Sequence, residues 1–118
     1  MAQINTFRET LSIRAEEIAL QTSATTILSA IPPISGFWEA SGYAVSSTTI
    51  SGVTLSLLWT DPTTGSAQTF SWLANSTVVP GANGQIGYPF MAQAGQPVSI
   101  VGQAGATGIT VSVKLERA

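Results

Sequence analysis

The chain has 118 residues, the length of one domain, and can bury roughly two-thirds of its unfolded surface in a single core. It contains no cysteine and no histidine, which excludes disulfides, thiolate metal sites and any Ser-His-Asp or Cys-His nucleophile. Only 8 % of the residues are charged, against about 25 % in an average soluble domain. The net charge of −2 with four basic residues leaves no electrostatic footprint for nucleic acid.

The charges are also segregated. Arg8, Glu9, Arg14, Glu16, Glu17 and Glu39 lie in the first third, and Lys114, Glu116 and Arg117 at the end. Between Ala40 and Val113 the only formal charge is Asp61. Surface charge ordinarily keeps a free monomer soluble. The shortage admits two readings, a soluble Ser/Thr-rich surface or a surface covered in an assembly, and the second is the expectation. The opening Met-Ala-Gln-Ile-Asn has neither a basic nor an apolar leader region, so no signal peptide is expected. No apolar run reaches the roughly 18 residues of a spanning helix, so no membrane partner is expected.

Met1 to Thr10 carries Ile4 and Phe7 as its sizeable apolar side chains beyond the initiator, with Arg8 and Glu9 beside them. Such a segment buries too little surface to fold alone and reads as an N-terminal arm that a partner orders. The first thirty residues fit two patterns. Thr6-Phe7-Arg8-Glu9 resembles a capping box, with Phe7, Leu11, Ala15, Ile18 and Ala19 on a helical stripe. Alternatively, Leu11, Ile13 and Ala15 alternate as a strand would, and Gln21 to Thr26 is β-branched and turn-like.

From Gly36 onward strand signals dominate. Pro32-Pro33-Ile34-Ser35-Gly36 stops one segment, and Gly36 to Val45 opens a strand. Val53, Leu55, Leu57 and Trp59 then alternate with Thr54, Ser56 and Leu58. Asp61-Pro62-Thr63-Thr64-Gly65 reads as a hairpin loop, with proline setting φ and glycine taking φ > 0. A strand follows over Ala67 to Leu73, then a turn at Pro80-Gly81-Ala82-Asn83-Gly84. Ala94-Gly95-Gln96-Pro97 and Gly105-Ala106-Thr107-Gly108 are further turns, framing a strand at Val98 to Val101. The last strand sets Ile109, Val111, Val113 and Leu115 against Thr110, Ser112, Lys114 and Glu116, one dry face and one wet. The expected fold is all-β: one antiparallel, jelly-roll-like β-sandwich over residues 11–118 behind the arm of residues 1–10.

No catalytic constellation emerges. Glu16 and Glu17 are adjacent, point to opposite faces of a strand, and read as solvated. Glu39 beside Trp38 could be an acid in an aromatic cleft, but a half-exposed strand glutamate is the plainer reading. Asp61 caps the turn that follows it. The glycines follow turns and open no helix, so no phosphate loop fits. Asn75-Ser76-Thr77 matches a glycosylation sequon, weakly in so Ser/Thr-rich a chain. Trp38, Trp59, Trp72, Phe37, Tyr43, Phe70, Tyr88 and Phe90 read first as core, next as interface anchors, last as a sugar-stacking platform. No metal, cofactor or small-molecule substrate is expected.

Several short motifs recur in a fixed order: Gln21, Thr25-Thr26-Ile27-Leu28, Pro33, Gly36-Phe37, Ser41-Gly42-Tyr43 and Thr48-Thr49. They continue through Gly52, Thr54-Leu55-Ser56-Leu57, Trp59-Thr60-Asp61, Gln68-Thr69, Ala94-Gly95 and Leu115-Glu116-Arg117. Over roughly residues 15 to 118 this order is similar to that of small structural proteins of tailed bacteriophages. In size, and in placing a β-domain behind a short N-terminal segment, the chain resembles their capsid decoration, or cement, proteins. The resemblance departs at Phe37-Trp38, where the family often has Tyr-Arg. It implies a homotrimeric sandwich on the outer surface of a capsid, made in the host cytoplasm, with an arm reaching across the major capsid protein. The capsid contacts it implies are Ile4, Phe7, Arg8 and Arg14. A phage fibre-head module recognising cell-surface carbohydrate is the alternative.

Overall fold

The computed structural model describes residues 12–117, with the side chains of 82–86 left aside. Ile4, Phe7 and Arg8, and with them the arm of residues 1–10, lie outside the described residues. Every described element is a strand. In chain order they are β1 (Ser12–Ala19), β2 (Thr25–Ala30), β3 (Gly36–Ser46), β4 (Ile50–Thr60), β5 (Ala67–Val78), β6 (Gly81–Ala92), β7 (Val98–Gln103) and β8 (Ile109–Arg117).

The pairing has a simple logic. β4 pairs antiparallel with β5, β3 with β6, β2 with β7 and β1 with β8, as if one long hairpin had been folded over. Rolling that hairpin brings β8 beside β3 and β7 beside β4. The results are two four-stranded sheets, ordered β1-β8-β3-β6 (sheet A) and β2-β7-β4-β5 (sheet B). Eight antiparallel strands in this order make a jelly roll.

Alternation along each strand fills the space between the sheets. Val53, Leu55 and Leu57 of β4 and Ile109, Val111, Val113 and Leu115 of β8 are buried, on the faces their period of two assigns. The buried residues fall into two clusters. One holds Trp38, Leu55, Leu57, Phe90, Ile100 and Leu115, the other Leu20, Ile50, Val53, Val78, Ile109 and Val111. The two clusters meet at Gly102 of β7, which lies against Leu20 of one and Leu55 of the other. A Cβ there would lie 2.6 Å from both Ile27 Cδ1 and Leu20 Cδ2, so only glycine lets these side chains close over the strand.

The structure decides the open N-terminal reading. Ser12–Ala19 is a strand on β8 and not a helix, because Ile13 and Ala15 pack inward at a spacing of two. The carboxylate pair departs from a plain alternation: the register slips between Ala15 and Ile18, and Glu17 takes φ 52°. At this bulge Glu17 N donates to Ser112 Oγ (3.0 Å), and both carboxylates remain exposed.

The glycine-rich segment after Pro80 corrects a second expectation. Only Val79 and Pro80 turn; from Gly81 the chain is already β6, with Ala82, Asn83 and Gly84 opposite Val45, Ala44 and Tyr43. β6 is an edge strand, where Gly and Pro89 cost no ladder on the open side. Similarly, β5 runs past Leu73 to Val78 and carries the Asn75 sequon within it. The Asp61 hairpin loop forms as its residues dictate. Asp61 Oδ2 accepts from Thr64 N (3.1 Å) and Thr64 Oγ1 (2.9 Å), and Gly65 takes φ 71°.

Candidate interaction surfaces

The charge segregation read along the chain becomes a difference between two sheets. Every charge carried by a described strand is on sheet A: Arg14, Glu16 and Glu17 on β1, Glu39 on β3, and Lys114, Glu116 and Arg117 on β8. β2, β4, β5 and β7 carry none, so sheet B has no formal charge on any strand.

Residues directly opposite each other across a ladder share a face. On the outer face of sheet A, Arg14 stands opposite Lys114, and Glu39 opposite Glu116. These like-charged neighbours are relieved along each strand, where Arg14 Nη1 lies 3.5 Å from Glu16 Oε1 and Lys114 Nζ 3.6 Å from Glu116 Oε1. The Glu39 carboxylate leans over Gly87, where a Cβ would stand 2.8 Å from Glu39 Oε1. Tyr43 and Val45 continue this face as exposed apolar side chains.

The outer face of sheet B is instead a hydroxyl lattice. Ser56 Oγ and Ser71 Oγ are 2.8 Å apart, and Ser29 Oγ and Ser99 Oγ 3.2 Å. Thr54 faces Gln103, and the exposed Leu58 stands between Thr69 and Ser99. A hydroxyl both donates and accepts, so such a face matches almost any neutral polar surface without desolvating an ion.

The aromatic residues divide by position. Trp38 is buried at 3 % exposure, its Nε1 without a hydrogen-bond partner, and is closed to any ligand. Trp59 packs at 5.2 Å from Phe90 and 5.8 Å from Tyr88, its ring half-buried. Where the edges β5 and β6 face each other, Phe70 stacks on Tyr88 (3.8 Å, 8°), with Trp72 edge-on to Phe70 at 5.6 Å. These half-buried rings close the open side of the sandwich, which makes them core first, as their alternation indicates. Phe37 and Tyr43 are the exceptions, outward on β3 at 59 % and 45 % exposure.

The ends of the sandwich also differ. One pole carries the β2–β3, β4–β5 and β6–β7 loops together with Ser12 and Arg117, the first and last described residues, since Ser12 pairs with Glu116 and Trp38 with Arg117. It gathers Asp61, Arg117, Glu116 and Glu39. The opposite pole, made of residues 20–24, 47–49, 79–80 and 104–108, has no charge.

Of the residues singled out in the sequence, Arg14 is exposed on β1 with Glu16 as its partner. Glu39 is exposed and Asp61 serves its own turn. Asn75 is exposed at φ 51°, its N–H bound to Thr54 Oγ1 at 3.0 Å. Among the described residues no three His, Cys, Asp or Glu gather as metal ligands would.

No protein-family model matches this chain, and no curated protein matches it either. Solved structures do. The globular domain of the zebrafish complement 1qA protein superposes with a TM-score of 0.51 at 14 % identity, over 91 % of this chain and 94 % of that one. Weaker likenesses include the infectious bursal disease virus VP2 subviral particle (TM-score 0.43, 16 % identity, 88 % of this chain but 31 % of that one). A carbohydrate-binding module of Cellvibrio mixtus lichenase 5A gives 0.42 at 14 % identity, over 91 % and 96 %. At these identities the likeness is one of fold, and it places the chain among jelly-roll-like β-sandwiches.

Proposed function

We propose that the chain is a viral structural protein, a capsid decoration protein that binds the outer surface of a tailed-phage shell as a homotrimer and stabilises it. The observation that carries this reading is the neutrality of sheet B. Four strands without a formal charge form a face that loses little on desolvation against protein, whereas sheet A keeps its ion pairs in water. The motif order shared with phage structural proteins supports it, and its motifs fall on β2, β3, β4, β5 and β8 and on the loops between strands. The role assigned is binding; no catalytic role is assigned.

Light scattering coupled to size-exclusion chromatography should give three times the 12.2 kDa chain mass. Leu58→Glu, which sets a charge in the middle of sheet B's outer face, should lower that mass without unfolding the protein. A wild-type monomer at several hundred micromolar overturns the trimer. Cryo-EM of the virion then reads the location directly: absence of the chain from the shell overturns the decoration reading.

One observation favours the fibre-head alternative, the half-exposed Phe70, Trp72 and Tyr88 at the β5–β6 edge. Reproducible binding of a defined sugar on a glycan array, lost in Trp72→Ala, would put that reading first.

A further inference from the structure

We propose that bulges close all four free edges of this sandwich to strand addition, so that copies of the chain meet through sheet faces and never through a shared ladder. This goes beyond the decoration reading, because it concerns the edges whatever the chain binds. The free edges are β1 and β6 of sheet A and β2 and β5 of sheet B. An edge strand presents a row of unpaired N–H and C=O groups that a second copy of the chain can extend.

Slips in register are confined to these edges. Each of the four pairs that join an edge strand to its inner neighbour contains at least one. The two central pairs, β3–β8 and β4–β7, run without a slip among the described residues. Every edge pair also places an extra residue on its outer strand. In β1, Ala15 to Ile18 runs opposite the shorter Val113 to Val111 of β8. In β5, Leu73 to Ser76 runs opposite Leu55 to Val53 of β4, and β2 and β6 likewise hold one residue more than their partners at their slips. The slip between Ile50 and Val53 differs, with its extra residue on the inner strand β4. An added residue bends and twists the strand that holds it, so a straight newcomer loses register along that edge.

Two of the bulges are held from inside the sheet. Glu17 takes φ 52° and donates its N–H to Ser112 Oγ, while Asn75 takes φ 51° and donates to Thr54 Oγ1, both at 3.0 Å. These are the two non-glycine residues with positive φ among the described residues. Such a conformation is costly and persists where the surroundings fix it. One device therefore occurs twice, on opposite sides of the sandwich, each time with a hydroxyl from the adjacent inner strand. The other edges have further protection. β1 carries Arg14, Glu16 and Glu17, β2 has only six residues, and Pro89 of β6 has no N–H to offer. β5 has twelve residues with neither a charge nor a proline, so its bulges are the protection that remains. The occupant they exclude is β5 of a second copy.

The test deletes Asn75, which lets β5 match β4 residue for residue between Leu55 and Val53. At a concentration where the wild-type protein holds one mass by light scattering, the variant should keep its circular dichroism and at least double that mass. Amide exchange should show the outward N–H groups of β5 protected in the variant and unprotected in the wild-type protein. A folded deletion variant that keeps the wild-type mass overturns the proposal. So does a wild-type oligomer in which the outward N–H groups of β5 are protected. Should the variant misfold, exchange in the wild-type protein decides alone. A wild-type monomer is a different result: it overturns the trimer and agrees with closed edges.

Discussion

The two halves of the sandwich are built by different means. The half toward the termini packs large side chains, Trp38, Phe90, Leu57 and Leu115, with Trp59 and Tyr88 closing its flank. The other half is aliphatic and smaller, Ile50, Val53, Val78, Ile109 and Val111 around Ala44 and Ala104. Its end is drawn together by main chain, Leu20 N to Ile109 O (3.0 Å), Ala104 N to Gln21 O (2.9 Å) and Gly105 N to Ser51 O (3.0 Å). Asp61, Glu39, Lys114, Glu116 and Arg117, the exposed Ile31 and Ile34, and Ser12 at the start of the described residues all belong to the first half. A bulky core supports the pole that carries chemical variety, while the second pole is small, neutral and closed by backbone.

The largest expected effect comes from emptying the bulky half. Trp38→Ala removes a side chain buried to 3 % and should cost about 3–5 kcal/mol, read by chemical denaturation. The unpartnered Nε1 sets up a sharper comparison. Trp38→Phe deletes a donor that finds no partner, so it should cost distinctly less than the alanine variant. Equal losses would mean that the indole N–H is bonded in solution.

Next comes the junction between the halves. Gly102→Ala places a methyl group against Ile27, Leu20 and Leu55 and should destabilise by about 1–3 kcal/mol, by overpacking and not by loss of contact. Ile27→Val in the same background should recover part of the loss, since Ile27 Cδ1 is one of the two atoms in the way. An additive double variant would show that the two halves do not meet there.

The Asp61 turn is a smaller and more local matter. Asp61→Ala removes the acceptor for Thr64 N and Thr64 Oγ1 on an exposed loop, so thermal unfolding should report about 0.5–1.5 kcal/mol. This residue also shows what the sequence discloses well. Asp-Pro-x-x-Gly specifies its turn from its own atoms, and β8 and the Val53–Leu57 stretch of β4 declare their inward faces by alternation.

Elsewhere the deciding partner is remote. The start of β6, Gly81 to Gly84, reads as a turn because glycine and proline normally interrupt strands, and only its edge position beside β3 permits them. β2 is too short to show a period, and β7 supplies its ladder. The division of charge between sheets was half visible. The run from Ala40 to Val113 is nearly empty of charge along the chain, but it takes the jelly-roll order to place β1 and β8 in one sheet. Exposure of Ile31, Ile34 and Phe37 was invisible, because proline-flanked apolar residues read equally well as the buried end of a strand.

The smallest expected effect tests whether sheet A is the wet face. The variant Arg14→Gln, Glu16→Gln, Lys114→Gln and Glu116→Gln removes two positive and two negative charges, so the net charge stays at −2. Both ion pairs are solvent-facing, with side chains 63 % exposed in the first pair and 37 % and 44 % in the second. Exposed pairs of this kind contribute about 0–1 kcal/mol each, less in salt. Part of that is returned here, because the like-charged neighbours Arg14 and Lys114 disappear together. The melting temperature should therefore move by only a few degrees and become insensitive to added sodium chloride, and the oligomeric mass should not change. Leu58→Glu on sheet B, a single charge added where there is none, should alter the mass far more than these four removals. A quadruple variant that dissociates while Leu58→Glu stays intact would reverse the assignment, making sheet A the covered face and sheet B the one in water.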